Sequence, residues 1–342
     1  MPLKVIVTRD FAQMSEVSAR IVTENITAGL KEKDEFTLGL ATGSSPTGLY
    51  KHLAAEANAG TFDPSKIRSF NLDEYVGLPG ENPQQRALHP ESYSFFMIQE
   101  LFGLLRKKFR ETNVPWGTLI DQEKLISEMS AHPADWREQG THNGKSIVIR
   151  RDARSEYLRW IRTDIMDAYG DKIERTGGIG LQVIGVGGRG HVAFHESGIP
   201  FAGSRMLLVR LDDNTVANAV VDGHFASMEE SPRYAVSMGV ELVYRANTVV
   251  LLASGPRKTD PVTESLVGNP GPALPISYGK VYAQKGGRLF YVLDREAGKK
   301  ILEQAERIRR QGIEIEDVSG PTAVQRVLDL PFFRDPEIAP RG

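Results

Sequence analysis

The sequence contains no cysteine, and this absence excludes several kinds of chemistry at once. The chain can form no disulfide, offers no thiolate ligand to zinc and has no cysteine nucleophile. Its formal net charge is only −2, which gives no support to nucleic-acid binding or to a polybasic membrane contact. No apolar run is long enough to span a bilayer, and the N-terminal segment lacks the apolar run of a signal peptide. We therefore expect a cytoplasmic protein with neither nucleic acid nor membrane as partner.

What the chain does contain is an ordinary core composition and a regular alternation of elements. Of its 342 residues, 40% are hydrophobic and 25% are charged, as in a packed globular protein. Short β-branched or apolar runs, followed by helical patterns, predict strands at residues 3–7, 36–43, 67–77, 180–188, 247–255 and 287–294. Such alternation predicts an α/β fold, a Rossmann-like, doubly wound, mostly parallel sheet with helices on both faces.

We expect a single α/β domain over residues 1–342. Residues 106–151 are mixed in character and read as an insertion, with a helix near residues 121–129. Residues 318–342 are expected to form an irregular C-terminal tail that packs along the surface, since the segment is rich in proline.

Four of the predicted strands end in polar or glycine-rich sequence. These ends read "ATGSSPTG", "NLDEYVG", "GVGGRGH" and "ASGPRK". In parallel α/β sheets the ligand crevice lies beyond the carboxyl ends of the strands. The four ends are therefore predicted to meet at one binding site.

The individual motifs each allow two interpretations. The turn at 41–48 suits an anion, but it also suits a tight turn in which Ser44 or Ser45 caps a helix, and it lacks the Gly-Lys-Ser/Thr ending of a Walker A motif. The adjacent pair Asp73 and Glu74 can provide a general base or form a solvated turn. Lys258 follows a glycine turn, where it can meet an anion or stay on the surface.

The segment "IGVGGRGHVAFHESG" carries two histidines beside a glutamate. His191 and His195 have the i, i+4 spacing of a helical metal pair, with Glu196 as a third ligand. The glycines argue against a regular helix, and no HExxH pattern is present. A histidine beside a carboxylate is better suited to proton transfer, so we predict no metal site here.

Taken together and in order, these motifs resemble the glucosamine-6-phosphate deaminase/isomerase family. The resemblance rests on "LGLATGSSPTGLYKHL", "SFNLDEYVGLP", "HPESYSFFM", "GVGGRGHVAFHESG", "RYAVSMGV" and "LASGPRK". It extends from about residue 3 to residue 310, apart from the insertion at 106–151 and the shorter "GENPQQRAL". The glycine turns alone are also similar to those of 6-phosphogluconolactonases and sugar-sensing regulators.

The resemblance implies a fold of the sugar-phosphate isomerase type and a sugar-phosphate substrate, and it assigns roles to particular residues. Asp73 matches the base that moves a proton between C2 and C1, His191 the residue that opens the sugar ring, and Glu196 its supporting carboxylate. The family needs no metal or organic cofactor, and it leaves homo-oligomerisation open. The predicted substrate-binding and phosphate-binding residues are Thr42, Gly43, Ser44, Ser45, Lys258 and Arg189.

Three positions depart from the family pattern. Arg189 stands where the family has an aspartate that orients the histidine, His195 replaces an asparagine, and Val220 replaces an arginine that helps bind phosphate. A permanently charged donor has thus replaced an acceptor close to His191. The pattern favours an altered substrate or a different position of the bound anion, which is why we count Arg189 among the binding residues.

Three functions remain open from the sequence. The first is aldose–ketose conversion of a hexosamine or hexose phosphate, with or without ammonia release, and the retained Asp73, His191 and Glu196 favour it. The second is a lactone-phosphate hydrolase in which Arg189 and Arg210 hold an anionic substrate. The third is a non-catalytic sugar-phosphate sensor, although the chain shows no helix-turn-helix signature.

Overall fold

The computed structural model describes residues 2–320. Its strands are β1 Leu3–Thr8, β2 Phe36–Leu40, β3 Ile67–Asn71, β4 Asp73–Val76, β5 Glu111–Asn113, β6 Trp136–Gln139, β7 Lys145–Ile149, β8 Leu181–Ile184, β9 Met206–Arg210, β10 Tyr234–Met238, β11 Thr248–Ala253, β12 Arg288–Asp294 and β13 Glu314–Asp317. Eight of them form a parallel sheet in the order β13-β1-β12-β11-β8-β2-β3-β5. The other five form an antiparallel sheet in the order β4-β10-β9-β7-β6.

Helices surround the parallel sheet, so the predicted α/β class is confirmed. They are α1 Phe11–Glu32, α2 Thr47–Ala59, α3 Pro83–Ala87, α4 Tyr93–Met97, α5 Gln122–Ala131, α6 Glu156–Trp160, α7 Ala168–Arg175, α8 Asp213–Val221, α9 Val240–Val243, α10 Thr259–Val267, α11 Tyr278–Gln284, α12 Arg295–Glu303 and α13 Ala305–Arg309. Wider π-helical turns at Ile98–Phe102 and Ile161–Asp167 continue α4 and α6. Among residues 2–320, no helix combines the length and the apolar character needed to cross a membrane.

The predicted strand at 67–77 is wrong in one respect, because the segment forms two strands in different sheets. β3 lies in the parallel sheet and β4 in the antiparallel sheet, and Leu72 joins them. The Leu72 N–H donates to the Leu40 carbonyl at 3.1 Å, and its own carbonyl accepts from the Met238 N–H at 2.7 Å. The chain therefore changes sheets at Leu72, one residue before Asp73.

The antiparallel sheet as a whole was not predicted from the sequence. β9 and β10 are five-residue runs with near-complete burial, and apolar runs this short do not separate strand from helix. The segment at 106–151 contributes β5 at the edge of the parallel sheet, α5, capped by Asp121 near the predicted position, and the pair β6 and β7. β7 continues the sheet beside β9. Most of the predicted C-terminal tail, residues 321–342, lies outside the described residues.

A buried tyrosine fixes the carboxyl end of β2. The hydroxyl of Tyr50, on α2, accepts a hydrogen bond from the Ala41 N–H at 3.0 Å and donates one to the Ala41 carbonyl. Tyr50 is fully buried, so no water can replace these bonds. Helix and strand are thereby held together immediately before the turn at 42–45.

We expect Tyr50→Phe to lower the free energy of unfolding by about 2 kcal/mol, because it leaves two buried backbone groups of Ala41 without a partner. Urea denaturation followed by circular dichroism measures the change. The matched control is Tyr278→Phe, at a half-buried ring elsewhere in the fold. Equal midpoints for the two variants would contradict the role of the Tyr50 hydroxyl.

Candidate active site

All four polar strand ends open into one cleft of about 670 Å³. The cleft lies where the parallel sheet meets the antiparallel sheet. Residues from each predicted motif line it: Thr42, Gly43, Ser44 and Ser45, Asp73, Gly185 to Gly188 with His191, and Lys258. The convergence predicted from strand ends is thus present in the fold.

Asp73 is the first residue of β4 and faces the cleft. Its side chain is almost completely buried, and its Oδ1 lies 3.5 Å from the Thr42 hydroxyl. Burial, together with the adjacent charge of Glu74, raises the pKa of Asp73 to about 8. A carboxyl group with such a pKa can exchange a proton with a carbon acid near neutral pH.

Glu74 has a different environment, because neighbouring side chains of a strand point to opposite faces. Its buried carboxylate accepts hydrogen bonds from the N–H groups of Tyr75, Tyr93 and Ser94 and from the hydroxyls of Ser92 and Ser94, at 2.8–3.1 Å. Burial raises the pKa of Glu74, and these hydrogen bonds oppose the rise. Glu74 therefore ties "NLDEYVG" to "HPESYS", the two motifs most specific to the resemblance.

His191 reaches the cleft from the glycine-rich turn, with Glu196 behind it. The His191 Nδ1 lies 3.5 Å from the Glu196 Oε2, and the Glu196 side chain is buried. A Cβ at Gly187 would lie only 2.0–2.4 Å from the His191 ring. Glycine is required at position 187, because any other side chain would occupy the space of the imidazole. Ala193, next in the same turn, adopts the left-handed conformation with φ of 52°, which is unusual outside glycine.

Arg189 lies at the edge of the site and contacts a carboxylate. Its guanidinium is 3.4 Å from Oδ2 of Asp212, a buried residue that caps α8, while the Arg189 side chain is half exposed. Arg189 is not among the residues that line the cleft. Substrate binding by Arg189 therefore stays a prediction, and the observed neighbour of His191 is the Glu196 carboxylate.

His195 points into the protein interior. Its Nε2 lies 3.0 Å from the Ile199 carbonyl, and its Nδ1 is 3.3 Å from the Val240 N–H, which donates to it. Burial lowers the pKa of His195 to about 4, so the ring is neutral at pH 7. Within residues 2–320, no group of three or more histidine or carboxylate side chains is arranged to hold a metal ion.

Cationic groups line another part of the cleft, here called its cationic end. The turn at 42–45 precedes α2, and Lys258 reaches the same end, where its amine donates to the Val186 carbonyl at 2.7 Å. Burial lowers the pKa of Lys258. Arg257 also lines the cleft and pairs with Asp222 at 3.0 Å. The binding residues predicted from the sequence do not include Arg257, although it is next to Lys258 in "SGPRK".

Aromatic rings form one wall of the cleft. Tyr93 stacks on Phe194 with ring centroids 5.8 Å apart, and Tyr75 contacts both rings. At the mouth, the His224 Nδ1 lies 2.7 Å from a Glu91 carboxylate oxygen. No local signal in the sequence placed His224 beside Glu91, because 133 residues separate them.

Comparison with known proteins finds relatives that are named glucosamine-6-phosphate deaminase. The chain is 31% identical over 300 residues to a glucosamine-6-phosphate deaminase of Thermoanaerobacter pseudethanolicus, covering 87% of this chain and 95% of that protein. It is 30% identical over 299 residues to the glucosamine-6-phosphate deaminase of Clostridium botulinum strain Loch Maree, covering 87% and 99%. No protein-family model matches the chain.

Solved structures give the same fold. A monomeric glucosamine-6-phosphate deaminase of the NagB superfamily superposes with a TM-score of 0.64 and 25% identity, over 87% of this chain and 99% of that one. The 6-phosphogluconolactonase of Trypanosoma brucei superposes with a TM-score of 0.55 and 16% identity, over 87% and 98%. The second similarity is one of fold alone.

The raised pKa of Asp73 makes a prediction about stability that is independent of activity. Between about pH 4 and pH 8 the native state keeps the Asp73 proton while the unfolded state loses it, so this residue makes stability fall as pH rises through that window. Asp73→Asn removes the effect. We expect the difference in Tm between variant and wild type to be more favourable to the variant by about 3 °C or more at pH 8.5 than at pH 4.5.

Differential scanning fluorimetry at the two pH values measures the gain. Asp34→Asn is the control, since Asp34 is exposed, and its effect on Tm should be the same at both. If Asp73→Asn also changes Tm by the same amount at both pH values, the native state does not hold Asp73 in its protonated form.

Proposed function

Because this chain belongs to the glucosamine-6-phosphate deaminase family, we propose that it is a sugar-phosphate isomerase that deaminates glucosamine 6-phosphate. The product would be the corresponding 2-ketose phosphate and ammonia. The observation that carries the proposal is the position of Asp73, a buried carboxyl group with a pKa of about 8 in the same cleft as His191 and Lys258.

The phosphate of the substrate would bind at the cationic end of the cleft. The turn at 42–45 comes just before a 13-residue helix, and a helix N-terminus attracts anions. Lys258 supplies a positive charge. Its amine, which donates to the Val186 carbonyl in this structure, would donate to a phosphate oxygen instead. The sugar carbons would then extend from this end toward Asp73 and His191.

His191 would open the sugar ring. Opening needs a proton taken from the anomeric hydroxyl and a proton given to the ring oxygen, and a single imidazole can do both in turn. Glu196 holds the ring of His191 in the orientation this requires. With Arg189 directed to Asp212, the replacement of the family aspartate leaves Glu196 as the carboxylate that performs this task.

Asp73 would carry out the isomerisation. Its carboxylate removes the C2 proton of the open-chain aldose, giving an enaminol, and then returns a proton to C1. The amine-bearing C2 becomes an imine, and water adds to the imine and releases ammonia, so one water is consumed for each ammonia formed. The high pKa of Asp73 makes its carboxylate a stronger base than an exposed aspartate.

The proposal is tested by ammonia release from glucosamine 6-phosphate, measured with a coupled assay. The wild type should release ammonia at ordinary enzymatic rates, and Asp73→Asn should lower kcat by about 10³-fold or more while leaving the fold intact. Asp34→Asn, with its exposed side chain, should match the wild type.

Near-normal turnover by Asp73→Asn would remove Asp73 from the mechanism. No ammonia from the wild type, with hydrolysis of a sugar-lactone phosphate instead, would identify a hydrolase. Binding of sugar phosphates without any turnover would identify a sensor. Either of the last two results overturns the proposed function.

A further inference from the structure

The antiparallel hairpin of β6 and β7 brings its turn to the rear of the active site. The hairpin turn, residues 140–144, joins the two strands, and β7 pairs with β9. The Lys145 amine donates to the Gly140 carbonyl at 3.0 Å and so closes the turn on itself. The hairpin belongs to the segment at 106–151, which the sequence predicts to be an insertion.

The hairpin turn packs directly against the segment that carries Glu196. The Thr141 N–H donates to the Gly198 carbonyl at 3.1 Å. A Cβ at Gly144 would lie 2.7 Å from the Cβ and 2.8 Å from the Cγ of Glu196. The backbone at Gly144 therefore touches the stem of the Glu196 side chain, and no room remains for a methyl group between them.

Asp212 links the same turn to the carboxylate end of Glu196. Its Oδ2 accepts a hydrogen bond from the Gly144 N–H at 3.3 Å and lies 3.4 Å from the Arg189 guanidinium. Its own N–H donates to the Glu196 Oε1 at 3.3 Å. Glu196 is thus held on one oxygen by the Asp212 backbone, and its other oxygen faces His191.

From these contacts we propose that the hairpin turn positions a catalytic group. Gly144 packs against the Glu196 side chain and so keeps its carboxylate beside His191. The catalytic part of this inference rests on the proposed function. Gly144 touches no reacting atom, and it acts through Glu196. Arg189 has a place in the same arrangement, since it pairs with the carboxylate that anchors the turn.

A simpler role for the turn would be to cover a buried surface, and the geometry argues against that role. The tightest approach at Gly144 is to the Cβ and Cγ of Glu196, and the hydrogen bonds of the turn go to the Gly198 carbonyl and to Asp212, whose own N–H binds the Glu196 carboxylate. A glutamate side chain has several rotatable bonds, and its carboxylate is useful to His191 in only one arrangement. Contact at the stem and a hydrogen bond at the carboxylate together fix that arrangement before substrate binds.

Gly144→Ala is the direct test, because the added methyl must displace Glu196. We expect kcat for glucosamine 6-phosphate to fall about 10- to 100-fold, the cost of a misplacement of this size. KM should stay within about 2-fold, since the turn at 42–45 and Lys258 are untouched. Asn143→Ala, at an exposed neighbour in the same turn, is the matched control and should leave both constants unchanged.

A measurement that needs no turnover separates this inference from the proposed function. Nitrogen NMR of histidine-labelled protein reports which ring nitrogen carries the proton, and the signal absent from His191→Gln identifies His191. In the wild type the proton should lie on Nδ1, facing Glu196, and Gly144→Ala should shift it toward Nε2. This holds even if glucosamine 6-phosphate is not the substrate.

Lys145→Met provides a second variant should Gly144→Ala fail to fold. It adds nothing beside Glu196, but it removes the bond that closes the hairpin turn. A smaller fall in kcat, about 3- to 10-fold, with unchanged KM and a partial change in the His191 signal would support the proposal. If the folded variants keep wild-type kcat and a wild-type His191 signal, the hairpin turn does not position Glu196.

Discussion

The burial of one carboxyl group beside another is the constraint on which the site depends. Asp73 and Glu74 follow each other at the point where the chain leaves the parallel sheet for the antiparallel one. Two adjacent carboxylates in a dry environment cannot both ionise easily. The fold resolves the conflict by giving Glu74 five hydrogen bonds and Asp73 a single long one, from Thr42. Asp73 is therefore the weaker acid of the two, and its carboxylate has a greater proton affinity than that of Glu74.

Hydrogen bonds to Glu74 and to Tyr50 also position the residues around the cleft. Four of the five hydrogen bonds to Glu74 come from the segment from Ser92 to Ser94, so the Glu74 carboxyl group fixes the start of α4 and places Tyr93 against Phe194. On the other side, Tyr50 holds the end of β2 and with it the turn at 42–45. The cleft thus combines groups suited to an anion with groups suited to proton transfer, as a sugar phosphate requires.

The sequence predicted the parts of the site that local pattern determines. Strand ends rich in glycine and polar residues identified Asp73, His191 and Lys258, because parallel strands bring their carboxyl ends together. It did not predict that residues 67–77 divide between two sheets, since the change of direction at Leu72 depends on hydrogen bonds to Leu40 and Met238. Nor could it show that His195 turns inward to the Val240 N–H, or that Arg189 pairs with Asp212, because 45 and 23 residues separate the members of these pairs.

We propose Asp73 as the base that moves the C2 proton, and its raised pKa means that it keeps its own proton up to about pH 8. Incorporation of solvent deuterium at C1 of the ketose product, or at C2 of recovered glucosamine 6-phosphate, follows that step by NMR. The exchange rate at low substrate concentration should rise tenfold per pH unit below pH 8 and level off above it. An exchange rate that is already constant between pH 5 and pH 8 would contradict the role of a high-pKa Asp73 as the base. It would require a carboxylate of ordinary pKa or a different base.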